Sequence, residues 1–441
     1  MENMNLLEYM NQATALMGQE KYEAAITFFE KAEAEDRFNI DVYIAKGVAY
    51  ANLNEFEKAR TEFEKALKVN KKEGVVYFHL GNIEMLLGNK AKGIELYNNA
   101  IANGFDDAQV YFSLGLMHEE AGNDDLAVRN YSKAILKDPN RADIRIRKIR
   151  LFIKNQHLQE ALQALDELII SNPDVFEGYH LKYLVLANLE KFDEANAVLS
   201  SAMFMFPKDT AFAIDKASLM ITRKEYKQAI EYLNSIQDTY EVDEEAAHSI
   251  AMEEARAYAF LENMDETINS LERARNIALK YDPPRMDMEA IYLLMNCYLN
   301  NDILDKVVEC ARELKKANGE DYYSLAAYYY EPFALKKLGK QEEAKKLFEE
   351  AVTYFRSASL KNPGNVDCYA FRILSLRELG NCEKALELAD YLVAVKDDLA
   401  EAHTLRATIL EDLGREEEAK AERAKAVSIG GYMADLPANK Q

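Results

Sequence analysis

Apolar residues in this chain recur at helical spacing, in pairs of short segments separated by a break. Between Tyr111 and His118, the positions Tyr111, Leu114, Gly115 and His118 fall on one helical face. A second such face starts at Asp124-Asp125-Leu126-Ala127 and continues through Tyr131 and Ala134. Gly122-Asn123 interrupts the chain between them, and Asp138-Pro139 stops the second, because proline has no N–H with which to continue a helix. The predicted unit is a helix-turn-helix hairpin. Small residues at Gly115 and Ala127 let the two backbones approach, and Tyr111 and Tyr131 fill the space around that contact.

The hairpin recurs. Ala25, Ala59, Gly93, Ala127, Ala161, Ala195 and Ala229 each follow the last by 34 residues, as do Pro139, Pro173 and Pro207, and Tyr9, Tyr43, Tyr77 and Tyr111. A fixed period of this length is the signature of a solenoid. The pattern resembles the tetratricopeptide repeat: Tyr77, Leu80, Gly81, Tyr97 and Ala100 match its signature in the third repeat, and Tyr43, Gly47, Tyr50, Ala59, Phe63 and Ala66 in the second. Tyrosine stands where that family usually has tryptophan. The resemblance implies an all-α, right-handed superhelical solenoid of about twelve helix-turn-helix repeats, with first helices lining a concave groove.

The period is strict over residues 1–243 (repeats 1–7) and looser over 244–433 (repeats 8–12), where 4, 6, 3 and 7 residues are inserted after the seventh to tenth repeats. An acidic stretch from Gln237 to Glu266 coincides with the first break, so a bend is expected near residues 238–247. The twelfth repeat carries Arg423 where its second helix needs a large apolar residue and reads as a charged cap, with residues 434–441 expected to form a flexible tail.

Composition narrows the class. With 17 Gly and 8 Pro in 441 residues there are too few turn-formers for a many-stranded β fold. The net charge of −22 argues against nucleic acid or an anionic membrane as the main partner. No apolar run approaches the ~18 residues of a spanning helix, and the first residues show no export signal. Cys297, Cys310, Cys368 and Cys382 form no CxxC pair, which fits a reducing cytoplasm.

Catalytic motifs fail one by one: there is no phosphate-binding glycine loop, no G-x-S-x-G and no H-E-x-x-H. The six histidines lie in different repeats with no i, i+4 partner, so neither a metal nor a cofactor is expected. The chain is expected not to be an enzyme. The carboxylate clamp of chaperone-binding members of the resembled family is also not matched, because the corresponding positions are Met10, Thr14, Ala45, Val75 and His79.

Two first helices stand out as partner-binding candidates. In the fifth repeat, six basic residues and one acidic lie between Arg141 and Lys154, and Arg147, Arg150 and Lys154 share one stripe suited to carboxylates. The competing reading is that these charges pair with acidic neighbours on the array. In the tenth, Tyr328 and Leu335 are expected to pack inward, leaving Tyr329, Tyr330, Phe333, Lys336 and Lys337 toward the groove as an aromatic, cationic patch. Here the competing reading is that longer second helices cover the aromatics. A third pattern, the column Lys46, Lys148, Lys182, Lys216, Arg372 and Arg406, is expected to be structural, with its stems covering apolar surface.

These features predict a non-enzymatic protein-interaction scaffold that holds a protein or peptide segment in its groove, with no nucleic acid and no membrane. The alternative is a peptide-sensing switch or a non-catalytic subunit of an enzyme complex.

Overall fold

The computed structural model describes residues 5–430, and among them the long elements are 24 α-helices, from Leu6–Met17 to Glu416–Ser428, with one 3-10 turn at Lys315–Ala317. They form twelve hairpins in chain order, as the periodicity predicts. The tail expected at 434–441 lies outside the described residues.

Every hairpin turns the same way. One residue with positive φ follows each first helix: Glu20, Asn54, Gly88, Gly122, Gln156, Glu190, Lys224, Glu262, Asp302, Gly339, Gly380 and Gly414. Their spacing is 34 as far as Lys224 and then 38, 40, 37, 41 and 34, which locates the four insertions of the sequence. The next residue sends its N–H back five positions, as from Asn123 to the His118 carbonyl (2.8 Å) and from His157 to that of Phe152 (2.8 Å). This is the Schellman closure, and it satisfies carbonyls that the end of a helix would otherwise leave bare.

The small-residue column is the seam of each hairpin. Ala25, Ala59, Ala127, Ala161, Ala195 and Ala229 are wholly buried. At Gly81 a Cβ would lie 2.6 Å from the Tyr97 ring, so the glycine is what allows that tyrosine to enter the seam.

The chain divides into two compact units, Met1–Pro207 and Lys208–Gln441. In each, hairpins stack on their neighbours in sequence, and first helices also touch the next first helix. In the first unit this joins Ile40–Asn52 to Gly74–Leu86 and Ala142–Lys154 to Phe176–Asn188. In the second it joins Ala211–Thr222 to Glu244–Phe260, and then Met288–Asn300, Tyr322–Lys337, Val366–Glu378 and Ala400–Asp412 in series. Residues 238–247 lie within the second unit, where Tyr226–Thr239 packs on Glu244–Phe260. The last helix, Glu416–Ser428, buries only Ala419 and Ala426 among its residues. Among the described residues no helix is long and apolar enough to cross a membrane.

Candidate interaction surfaces

The fifth-repeat stripe projects from Ala142–Lys154, and all three of its cations meet acids from adjacent elements. Arg147 Nη1 lies 3.6 Å from Glu119 Oε2 and Lys154 Nζ 2.9 Å from Asp124 Oδ2, both acids of the fourth repeat. Arg150 donates twice to Glu177 Oε1 of the sixth, through Nε at 3.0 Å and Nη2 at 2.5 Å. Hydrogen bonding from Lys154 holds the Asp124 carboxyl below its usual range. The cations nevertheless stay 48%, 64% and 60% exposed for Arg147, Arg150 and Lys154. Ion pairs this exposed contribute only ~0–1 kcal/mol, so an incoming carboxylate can replace the resident acid at little cost.

The tenth repeat corrects an expectation. Tyr329 and Tyr330 are each 1% exposed and Phe333 is 9% exposed, so they belong to the core and do not face a groove. The Tyr329 ring centroid lies 5.2 Å from Tyr330, 5.7 Å from Phe333, 6.0 Å from Phe348 and 5.9 Å from Phe371. Phe348 comes from the second helix of the same repeat, Gln341–Lys361, which the insertion extends to 21 residues. Phe371 comes from the next first helix. The tyrosines are therefore enclosed from two sides. Leu335 is buried as expected, while Tyr328 is only partly buried and stacks on Tyr354 at 3.9 Å. The helix runs unbroken through Pro332. Lys336 Nζ reaches Glu378 Oε2 at 2.8 Å, and Lys337 lies 5.3 Å from the Phe333 ring centroid.

Beside these aromatics, Glu331 is buried and accepts from Arg312 Nε at 2.7 Å and Lys315 Nζ at 2.8 Å. The cation column is likewise mostly satisfied within the protein. Lys46 is 5% exposed, with Glu33 at 2.8 Å and Glu62 at 3.6 Å. Lys182 meets Asp166 at 2.5 Å, and Arg406 meets Asp390 and Glu422, both at 2.5 Å. Lys148 and Lys216 sit over the rings of Phe152 and Tyr232 at 5.5 and 5.3 Å.

Sequence reasoning missed one feature on the first-helix face of the second unit. The Tyr292 and Tyr322 hydroxyls are 3.1 Å apart, Tyr323 packs against Tyr292, and Tyr322 is 39% exposed. Further along stand Asp367 and Glu401. Burial raises the carboxyl of each above the ordinary range, and the charge of Asp367 adds to the shift at Glu401. Their separation of 34 residues places them at one register position and was the signal available in the sequence.

Among the described residues no group of three or more His, Cys, Asp or Glu is placed to hold a metal. Burial pushes the Cys310 thiol up to about 12 and the Cys368 thiol to about 11, the reverse of what a nucleophilic cysteine needs.

Three family models, all for tetratricopeptide repeats, match the chain: one at residues 16–75 and 120–182, a second at 78–142 and a third at 334–432. No curated protein matches it. Solved structures similar to it include YrrB, a TPR protein with an unusual peptide-binding site, at 20% identity over 43% of this chain and 97% of that one, TM-score 0.36. Another is the C-terminal part of a TPR repeat-containing protein from Cytophaga hutchinsonii, at 15% identity over 62% and 96%, TM-score 0.44. A third is Naa15/Naa10 bound to HypK-THB, at 14% identity over 88% and 68%, TM-score 0.40.

Proposed function

Because the chain belongs to the tetratricopeptide-repeat family, we propose that it is a non-enzymatic protein-interaction scaffold whose first-helix face holds a peptide or partner segment. The observation that carries this reading is the fifth-repeat stripe. Arg147, Arg150 and Lys154 present three cations on one face, each about half exposed or more, in ion pairs weak enough to be exchanged. Arginine forks suit carboxylates, so the partner segment is acidic. The net charge of −22 opposes such a ligand at long range, but screening beyond ~8 Å leaves the local sign to govern contact.

Lys336 and Lys337 form a smaller cationic element of the same kind on the tenth repeat, whereas Tyr329, Tyr330 and Phe333 contribute only from the core. The regular stretch 1–243 and the irregular stretch 244–433 would present different surfaces to partners. A reducing cytoplasmic setting belongs to the same reading, supported by Cys310 and Cys368 packed as buried thiols.

The test is affinity purification of the full chain from its native host with mass spectrometry, comparing wild type with R147E/R150E. Partners lost on charge reversal are the expected result. Partners that persist in the variant would remove the stripe as the site, and the absence of any specific protein would remove the scaffold.

A further inference from the structure

One member of the cation column has a second cation beside it where others have a counter-group. Sixteen residues before Lys182 and Arg406 stand Asp166 and Asp390, each 2.5 Å from the cation. Sixteen residues after Lys46 and Arg406 stand Glu62 and Glu422, at 3.6 and 2.5 Å, and after Lys216 stands Tyr232, whose ring takes the ammonium. For these four the second helices on either side supply the counter-group at fixed offsets, whereas Lys148 has Ser132 and Ala164 at those positions and rests on the Phe152 ring of its own helix. For Arg372 the earlier position is Arg356 and the later one is Leu388. A second guanidinium occupies the slot that holds a carboxylate elsewhere, and a hydrocarbon occupies the other.

The consequences are visible in the structure. Arg372 Nε is buried with no hydrogen-bond partner. Burial first, and then the charge of Arg356, hold the Arg372 guanidinium below its usual pKa. Among the described residues none of Arg356, Arg372 and Lys384 is in an ion pair. All three line a cleft of about 640 Å³, within the ~300–1,000 Å³ range of ligand sites. Val352, Leu376 and Leu388 form its apolar wall, and Glu387 is the one carboxylate on its rim. A buried donor on a half-desolvated cation is costly until an acceptor arrives, and the protein supplies none.

We propose that this cleft, formed by the tenth and eleventh repeats, is a recognition site for an acidic peptide segment of a partner protein. A ligand carboxylate sits between Arg356 and Arg372 with Lys384 beside it, and a neighbouring apolar side chain packs on Val352, Leu376 and Leu388. The site rests on the scaffold reading. It is separate from the fifth-repeat stripe and combines Arg372 and Leu376 of a first helix with Arg356 and Lys384 of the second helices on either side, unlike the all-first-helix clamp whose positions this chain does not match. The apolar wall favours a peptide over a bare anion, which would leave that wall in water.

The test uses the full chain carrying R147E/R150E, so that the fifth-repeat stripe is silent. A fluorescein-labelled acetyl-Leu-Glu-Leu-Glu-Leu amide is titrated by anisotropy, beside its Leu-Gln counterpart and inorganic phosphate at matched ionic strength. The glutamate peptide is expected to bind at least ~10-fold more tightly than the glutamine peptide, a difference of ~1.4 kcal/mol. R356Q, at an exposed position that leaves the core intact, is expected to weaken binding ~10-fold, and R372M to abolish it. Equal binding of the two peptides, full binding to R356Q/R372M, or an arginine-dependent response to phosphate with none to peptide would each overturn the proposal. If cleft variants change nothing while R147E/R150E still loses its native partners, the cleft fails and the scaffold stands. If the cleft binds the peptide as described but no partner co-purifies from the host, the scaffold fails and the recognition of acidic peptide survives.

Discussion

Removing a single oxygen from the core of the second unit should make the protein more stable. Tyr329 is 1% exposed, and its hydroxyl is buried without a hydrogen-bond partner. Burial accordingly holds the phenol far above its ordinary pKa. A buried polar group left unsatisfied costs ~1–3 kcal/mol. Tyr329→Phe deletes that group and keeps the ring stacked on Phe333 and packed against Phe348 and Phe371. The expected gain is therefore ~1–3 kcal/mol, less the small contact loss of one oxygen, and at ~2–4 °C per kcal/mol it appears as a rise of several degrees in the melting temperature. Tyr329→Ala, by contrast, empties a fully enclosed site and should cost ~3–5 kcal/mol. Both are read by circular dichroism during thermal and urea unfolding of the full chain. The pair separates the enclosed position from a groove-facing one: on an exposed face, loss of the hydroxyl would be neutral and loss of the ring nearly so. A Tyr329→Phe variant less stable than wild type would refute the reasoning, because it would mean that the hydroxyl has a partner.

Other outcomes follow from the same structure. Gly81→Ala places a Cβ 2.6 Å from the Tyr97 ring and should cost ~1–3 kcal/mol by overpacking, measured as a lower urea midpoint. Lys224→Gly relieves a left-handed residue at φ 65° and should stabilise by up to about 1 kcal/mol; a loss of melting temperature would contradict the strain assigned to that turn. Glu331→Gln strips the charge facing Arg312 and Lys315, both of which keep access to water, and should destabilise by ~1–3 kcal/mol, read by the same unfolding curves. Burial raises Asp367 in the folded state, so its ionisation costs stability above the folded pKa and nothing below the unfolded value of ~3.9. Asp367→Asn should therefore raise the melting temperature at pH 7, with the gain fading as the pH falls toward 4; a gain independent of pH would rule out that origin.

The cationic stripe shows how far local pattern reaches. That Arg147, Arg150 and Lys154 share a face follows from spacings of three and four, and the structure keeps them together. Their acids, Glu119, Glu177 and Asp124, lie 28, 27 and 30 residues away on other helices, and no short window contains them. Even so, the repeat makes such distances regular, and the 34-residue offset from Asp367 to Glu401 could have been read as a shared surface position.

The sequence by itself determined the hairpins, their number, the seam of small residues and the places where residues are inserted. These depend on spacings within one repeat and on a period that copies them, and the twelve left-handed residues keep that period to Lys224 and then depart from it by the inserted residues alone. Only the tertiary structure decided which way the tenth repeat faces. Tyr322–Lys337 carries large apolar residues around most of its circumference, so it has no polar side to mark solvent, and the 21-residue helix beside it closes over Tyr329 and Tyr330. Only the structure, too, separated Arg372 from the ion-paired Lys46, Lys182 and Arg406 of its column. The counter-group is supplied by neighbouring helices sixteen residues away, and whether a charge is satisfied is settled by what the fold brings to it.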